Sequence, residues 1–330
     1  MKNEFETGAL NKITDVGGVS VGHCTVDEGN VHSGVTVIIP SDENVFYNKP
    51  TAACYVLNGF GKSVGTIQIE ELGTLESPIA LTNTLSVGAV MDALNKRAVQ
   101  ESAKLGKALR SVNSVVCECN DANINDICAF GINEGHVDKA FENACKDFEE
   151  GAVGAGRGMV CHGLKGGIGS ASRLLSFDGK TYTLGVLLMS NHGALRDLTV
   201  DGKNLGVDIS EGITESDKGS IIVILATDIP LSSRQLKRVL KRISTALARM
   251  GSRIGHGSGE VFIGFTTANV YRVDGDKDIV SNLMLAEGKI DNVFRAVSEA
   301  TEDALTKSML CSDACQSRKG KTVHSLAEYV

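Results

Sequence analysis

The sequence predicts a layered α/β protein in which two β-sheets pack face to face between two layers of helices, a four-layer αββα sandwich. Three observations predict it. Runs rich in β-branched residues, such as G-V-T-V-I-I-P at 34–40 and S-I-I-V-I-L-A-T at 220–227, read as buried strands. Apolar residues at helical spacing over 84–105, 233–250 and 284–309 read as helices long enough to cover a sheet. Hairpins and consecutive strands occur without a helix after each one, so mixed sheets fit better than a doubly wound sheet.

Each element has its own justification. Residues 13–24 carry Ile13, Val16, Val19 and Val21 and end in the strand-like V-S-V-G-H-C. Residues 34–40 and 52–58 (A-A-C-Y-V-L-N) follow as strands, and V-G-T-I-Q-I-E at 64–70 alternates like another. Thr84 opens a helix to about Leu105, with Val87, Val90, Met91 and Leu94 on one face. Residues 112–119 read as a strand. Residues 136–149 read as a helix carrying Val137, Ala140, Phe141, Ala144, Cys145 and Phe148. Strands at 168–176 and 180–190 flank Asp178-Gly179, a hairpin turn pair. The polar stretch E-G-I-T-E-S-D-K-G at 211–219 runs straight into the 220–227 strand. The helix 233–250 turns Leu236, Val239, Leu240, Ile243, Leu247 and Met250 inward, residues 260–268 form a strand, and 284–309 form a C-terminal helix.

Composition excludes several classes. With 33 Lys+Arg against 40 Asp+Glu the net charge is −7, which gives no global pull toward nucleic acid or anionic lipid. The 42% hydrophobic and 22% charged content suits a folded chain rather than a disordered one. No stretch nears the ~18 apolar residues of a membrane span. The N-terminus lacks the apolar core of a signal peptide, so the expectation is a cytoplasmic protein with reduced thiols at its nine cysteines. Cys117-x-Cys119 and Cys311-x₃-Cys315 have no second pair at zinc-finger spacing, so no metal is expected. No linker or repeat divides the chain, which reads as one domain over 1–330. Glycine is abundant, 37 of 330 residues against a usual share of roughly 7%, and without a G-X-Y period the excess must have local causes.

Several motifs fail. Gly59-Phe60-Gly61-Lys62-Ser63 lacks the first glycine of a phosphate loop, because Val56 stands there. Gly154-Ala155-Gly156-Arg157-Gly158 lacks dinucleotide spacing. Gly257-Ser258-Gly259 has His256 and Glu260 where a nucleophile elbow needs glycines. Helix 233–253 carries seven basic residues and no acid, which reads as a solvated face balancing acids elsewhere, with a docking or oligomer surface as the alternative.

The junction Gly219-Ser220 is different. A polar segment ends in glycine, and the serine begins a buried strand. Attack by Ser220 Oγ on the Gly219 carbonyl would turn the peptide into an ester. Hydrolysis would free an α-amine with an unperturbed pKa of ~7.7–8, able to serve as base for its own hydroxyl. Ser258 and Glu260 stand at i and i+2 of a strand, so both side chains project from one face and can pair. Asn191, in M-S-N-H-G at a strand end, offers an amide donor for an oxyanion. Each also has a plain reading: a strand start, a polar strand edge and a turn asparagine.

Together these residues resemble the L-aminopeptidase/D-esterase family of self-processing N-terminal nucleophile peptidases, which includes β-peptidyl aminopeptidases. The resemblance runs through I-T-D-V-G-G-V-S-V-G-H (13–23), G-V-T-V-I-I-P (34–40) and E-L-G-T-L-E-S-P-I-A-L-T-N-T-L-S-V-G (71–88). It continues in G-M-V-C-H-G-L-K-G-G-I-G-S-A-S-R (158–173), G-S-I-I-V-I-L-A-T-D-I-P-L (219–231) and H-G-S-G-E (256–260). It implies an αββα sandwich layered like the Ntn hydrolases but wound differently, as in ornithine acetyltransferases. It implies cleavage after Gly219 into an α chain 1–219 and a β chain 220–330, with Ser220 as nucleophile, Ser258 and Glu260 as accessory residues and Asn191 in the oxyanion hole. It also implies a tetramer of α/β pairs and no cofactor.

The chain departs from the family at N-D-G-Y-L-N-D, which here reads Asn120-Asp121-Ala122-Asn123-Ile124-Asn125-Asp126, so the Tyr that lines the family's site falls on Asn123. A pocket for a substrate ammonium needs an acid, and Glu118, Asp121 and Asp126 are the candidates near Asn123; the −7 charge suits such a pocket. The expected function is release of N-terminal residues from short peptides, amides or esters, with D- or β-amino acids among the candidates. An uncleaved relative serving as a binding or assembly module, and acyl transfer of the ornithine acetyltransferase kind, are the alternatives; the latter family's nucleophile is Thr.

Overall fold

The computed structural model describes residues 4–209, 219–275 and 277–330. One sheet has four strands in the order β1 (Ser20–Glu28), β2 (Val31–Ile39), β4 (Ile79–Asn83) and β5 (Val115–Cys119). The other has five, in the order β3 (Asn48–Gly59), β11 (Ser258–Arg272), β10 (Gly219–Thr227), β9 (Lys180–Asn191) and β8 (Ile168–Phe177). Two-residue strands β6 (Val160–Cys161) and β7 (Leu164–Lys165) pair with each other, as do β12 (Cys315–Gln316) and β13 (Thr322–Val323).

Helices α1 (Thr66–Leu72), α2 (Val87–Lys104), α3 (Glu134–Glu142), α4 (Leu205–Ile209), α5 (Ser233–Leu240), α6 (Ile243–Arg249) and α7 (Ile290–Leu310) complete the fold. Each parallel pair needs a crossover. Helix α2 supplies it for β4–β5, and α5 with α6 supplies it for β10–β11.

Three apolar clusters correspond to the three interlayer spaces of an αββα sandwich. Val90, Leu94 and Val137 of α2 and α3 pack on Val35, Val37 and Val116 of the first sheet. Ile38, Ile79 and Leu81 face Leu187, Ile222 and Ile263 between the sheets. Leu236, Leu247 and Val297 of α5, α6 and α7 cover Ile221, Val223 and Phe262. Strand β10 is buried on both faces, as its unbroken apolar run requires: Ile222, Ile224 and Ala226 point between the sheets, and Ile221, Val223 and Leu225 point toward the helices. Each of these Ile, Val and Leu side chains contributes roughly 1.5–3 kcal/mol by burial, which fixes the strand whose first residues are Gly219 and Ser220.

Several expectations are corrected. Residues 66–72 form helix α1, not a strand: left-handed Gly65 and Gly73 bound a single short helix that buries Ile69 and leaves Ile67 exposed. Strand β4 went unread because its five residues follow Pro78 and carry no alternation. The helix read at 136–149 stops at Glu142, and Cys145 instead bridges to Val21. The helix read at 233–250 is two helices. Ser244 Oγ donates to the Lys241 carbonyl, and Thr245 Oγ and Ser298 Oγ to the Arg242 carbonyl, outside the helical ladder.

The basic residues of that segment are largely neutralised. Arg234 and Arg238 pair with Glu287, Lys237 with Glu70, Arg249 with Glu302 and Arg253 with Asp197. This matches the reading of a balanced surface. The stretch 211–219 lies outside the described residues except for Gly219. Among the described residues no helix is long and apolar enough to cross a membrane, and no disulfide joins any of the nine cysteines.

Candidate active site

The site forms where β10 begins, β9 ends and β11 begins. Ser220 is flanked by Asn191 of antiparallel β9 and Gly259 of parallel β11. Its side chain is nearly buried, and Oγ accepts a hydrogen bond from the Gly259 N–H at 3.2 Å. Gly259 must be glycine, since a Cβ there would lie 2.6 Å from the Phe60 carbonyl oxygen and 3.1 Å from Ser220 Oγ. Gly219 has φ +119°, a conformation L residues rarely adopt.

Asn191 is held at both ends. Its Oδ1 accepts from the Val160 N–H at 2.9 Å and its Nδ2 donates to the Asn120 carbonyl at 3.0 Å. An amide nitrogen carries two N–H groups, so one remains for an oxyanion. The loop bearing Val160 is pinned from behind by Lys165, wholly buried, whose Nζ donates to the carbonyls of Gly156 (3.2 Å), Met159 (2.9 Å) and Gly166 (2.5 Å). Burial pushes the Lys165 pKa down to about 7.

Ser258 and Glu260 are fully buried, and Ser258 Oγ donates to the Glu260 carboxylate. The pair exists as the i, i+2 spacing predicts. Alternation nevertheless places both on the face of β11 shared with Phe262, whereas Ser220 shares the inter-sheet face with Ile222. The pair therefore stands across the sheet from Ser220 Oγ and flanks its main chain.

A cavity of ≈ 760 Å³ opens over Ser220 and is walled by Asn191, Asn123, Glu118 and Thr84, among others. Glu118 is buried at the end of β5, where its carboxylate accepts from the Lys62 N–H at 2.9 Å and from Thr84 Oγ. Of the three acids considered for an ammonium, only Glu118 lines this cavity among the described residues. Asp121 instead binds Ser33 Oγ at 2.7 Å and Asn125 Nδ2 at 3.0 Å, and burial raises its pKa to about 6. Asp126 pairs with Arg318 at 3.3 Å.

Sequence reasoning missed Lys165 and three lysines of the cavity wall, Lys62, Lys319 and Lys321. Lys319 and Lys321 sit on the β12–β13 hairpin, and nothing local ties a K-G-K turn to a serine a hundred residues earlier. The cavity thus has the expected acid, Glu118, together with three lysines that the sequence did not point to. Behind Asn191, the ligand atoms of Cys161, His162 and His192 lie within 4.8 Å of one another, all buried; this is the one place among the described residues where three such groups could hold a metal ion.

Comparison with known proteins identifies the family and the fold. A model of peptidase family S58 matches residues 11–323. Beta-peptidyl aminopeptidase BapA of Sphingosinicella microcystinivorans is 35% identical over 347 residues, spanning 97% of this chain and 86% of that protein. A solved structure from Pyrococcus horikoshii has a TM-score of 0.93 at 42% identity, covering 98% of this chain and 93% of its own. The L-aminopeptidase D-Ala-esterase/amidase of Ochrobactrum anthropi, described as a variant of the Ntn hydrolase fold, has a TM-score of 0.93 at 33% identity, covering 99% and 93%.

Proposed function

The chain belongs to peptidase family S58, and on that footing we propose that it is a self-processing serine aminopeptidase with Ser220 as its nucleophile. Its aminopeptidase activity rests on the family and on relatives named beta-peptidyl aminopeptidase and L-aminopeptidase. The observation that carries the residue assignment is the position of Ser220. Ser220 lines the ≈ 760 Å³ cavity directly after Gly219, at φ +119°, and is the strand partner of Asn191.

That geometry supports self-processing. Ser220 Oγ attacks the Gly219 carbonyl, an O–C bond forms, and the C–N bond breaks as the Ser220 nitrogen takes a proton. Water then cleaves the ester, leaving chains 1–219 and 220–330. The halves stay together because β10 and β11 of the second chain pair with β9 and β3 of the first within one sheet. The new amine begins β10 between the sheet faces, where the Ser258–Glu260 pair can hold it and tune its basicity.

Catalysis repeats the chemistry on a substrate. The amine accepts the hydroxyl proton, and Ser220 Oγ attacks the carbonyl of the first residue. The free Asn191 N–H stabilises the oxyanion, an effect worth roughly 2.7–4 kcal/mol per donor. The Glu118 carboxylate takes the substrate ammonium. The proton returns to the leaving amine, and water resolves the acyl-enzyme. Asn123, where relatives carry Tyr, leaves the wall beside the acyl group wider and polar. Substrates are short peptides, amides or esters with a free amine, β- and D-residues included. We extend the reading to a cytoplasmic homotetramer of α/β pairs, testable by light scattering and cell fractionation.

Intact-mass analysis tests the core claim. Wild type should yield two chains and Ser220→Ala one. The cleaved form should hydrolyse amino-acid p-nitroanilides, D-amino acid amides or β-alanyl dipeptides. A wild-type chain that stays whole, or a cleaved one that hydrolyses none of them, sinks the proposal.

A further inference from the structure

The cavity over Ser220 is lined by charges of both signs. Glu118, buried on β5, is its anionic side chain, while Lys62, Lys319 and Lys321 supply three cations, so the lining sums to 3 − 1 = +2 among the described residues. The chain as a whole carries −7. A wall of opposite sign to the molecule concentrates anions at that point and nowhere by default.

The three lysines are exposed and face the cavity from two sides. Lys62 follows β3, with its Nζ 4.4 Å from the centroid of the Phe60 ring. Lys319 and Lys321 belong to the β12–β13 hairpin, closed by the Ser317 N–H to the Lys321 carbonyl at 2.8 Å and the Lys321 N–H to Ser317 Oγ at 3.1 Å. The hairpin is fastened to the site wall, since the Arg318 N–H donates to the Asn123 carbonyl at 3.0 Å. Arg318 itself is occupied by Asp126. None of the three lysines has an ion-pair partner among the described residues.

From this pairing of charges, and resting on the aminopeptidase reading above, we infer that the leaving-group side of the site is a carboxylate subsite built from Lys319 and Lys321, on the hairpin, whereas Lys62 stands beside Glu118. The favoured substrates are di- and tripeptides with a free C-terminal carboxylate, read at one end by Glu118 and at the other by Lys319 and Lys321. Each end of such a zwitterion meets the opposite charge. An amide or anilide of the same acyl group meets only Glu118.

The test uses the processed enzyme and matched pairs of β-alanyl and L-alanyl dipeptides, each as free acid and as C-terminal amide. The ratio of kcat/KM, acid over amide, should be about tenfold in dilute buffer, the combined effect of exposed ion pairs that singly give a few-fold. It should fall toward one at ~0.5 M salt, because exposed charges are screened over a few ångströms there. It should also fall toward one in Lys319→Gln/Lys321→Gln. Because the readout is a ratio within one protein sample, a partly folded variant does not mimic the effect. Equal rates on acid and amide by wild type, or a preference that survives both salt and the double substitution, overturn the subsite and leave the peptidase reading standing. Failure to hydrolyse any member of the pairs overturns both.

Discussion

Gly219 and Asn191 approach so closely that a side chain at Gly219 has no room: a Cβ there would lie 1.9 Å from the Asn191 carbonyl oxygen. Its φ of +119° adds backbone strain for any L residue, of order 1–3 kcal/mol. The proposed scissile carbonyl is thus held against the strand that carries the oxyanion donor.

Gly219→Ala should therefore block processing more completely than its size suggests. The expected outcome is a single chain by intact mass and a melting temperature below that of the uncleaved Ser220→Ala protein. Normal two-chain product from Gly219→Ala would show that this contact does not matter for cleavage.

Much of this site could be read along the chain, and the rest could not, for physical reasons. Asn191 and Gly219-Ser220 were visible as a strand end and a strand start. That β9 and β10 are antiparallel neighbours, bringing them into register, is a tertiary fact. The Ser258–Glu260 pair was legible from i, i+2 spacing, but its place across the sheet from Ser220 Oγ depends on the register with β10. Ile67 and Ile69 alternate like a strand, yet glycines on both sides bound a short helix in which Ile69 is buried and Ile67 exposed. The acids near Asn123 were indistinguishable by sequence. Only the sheet decides that Glu118 faces the cavity while Asp121 and Asp126 serve Ser33 and Arg318.

Asn191→Ala should lower kcat by about 10²–10³, the range for loss of one oxyanion donor, with little change in KM. The substitution also strands the Val160 N–H, so melting temperature should be measured alongside. Steady-state kinetics on a p-nitroanilide checks it. A loss confined to KM would move Asn191 from the transition state to ground-state binding.

Glu118→Gln keeps an acceptor for the Lys62 N–H and removes the charge. If the carboxylate holds the substrate ammonium, kcat/KM should fall by roughly 1.5–3 kcal/mol, the worth of a charged hydrogen bond, mainly through KM. Cleavage after Gly219 involves no free amine and should proceed. Unchanged KM for free-amine substrates would remove Glu118 from this role.

Lys165 gives the last prediction, because it links stability, pH and the oxyanion residue. Burial lowers its pKa to about 7 in the folded protein, against ~10.4 for the unfolded chain. Between those values the unfolded chain holds a proton that the folded chain has released. The unfolded state binds more protons, so stability from this group rises as pH rises from about 7. Lys165→Met removes the term along with three carbonyl hydrogen bonds. The gap in melting temperature, wild type above variant, should widen from pH 7 to pH 9 in calorimetry. The loop it pins carries Val160, whose N–H orients Asn191, so the variant should also lose about tenfold in kcat, roughly 1.4 kcal/mol, with KM little changed. A gap independent of pH would mean that the three carbonyls keep Lys165 charged in the fold, and an unchanged kcat would mean that Asn191 is positioned without it.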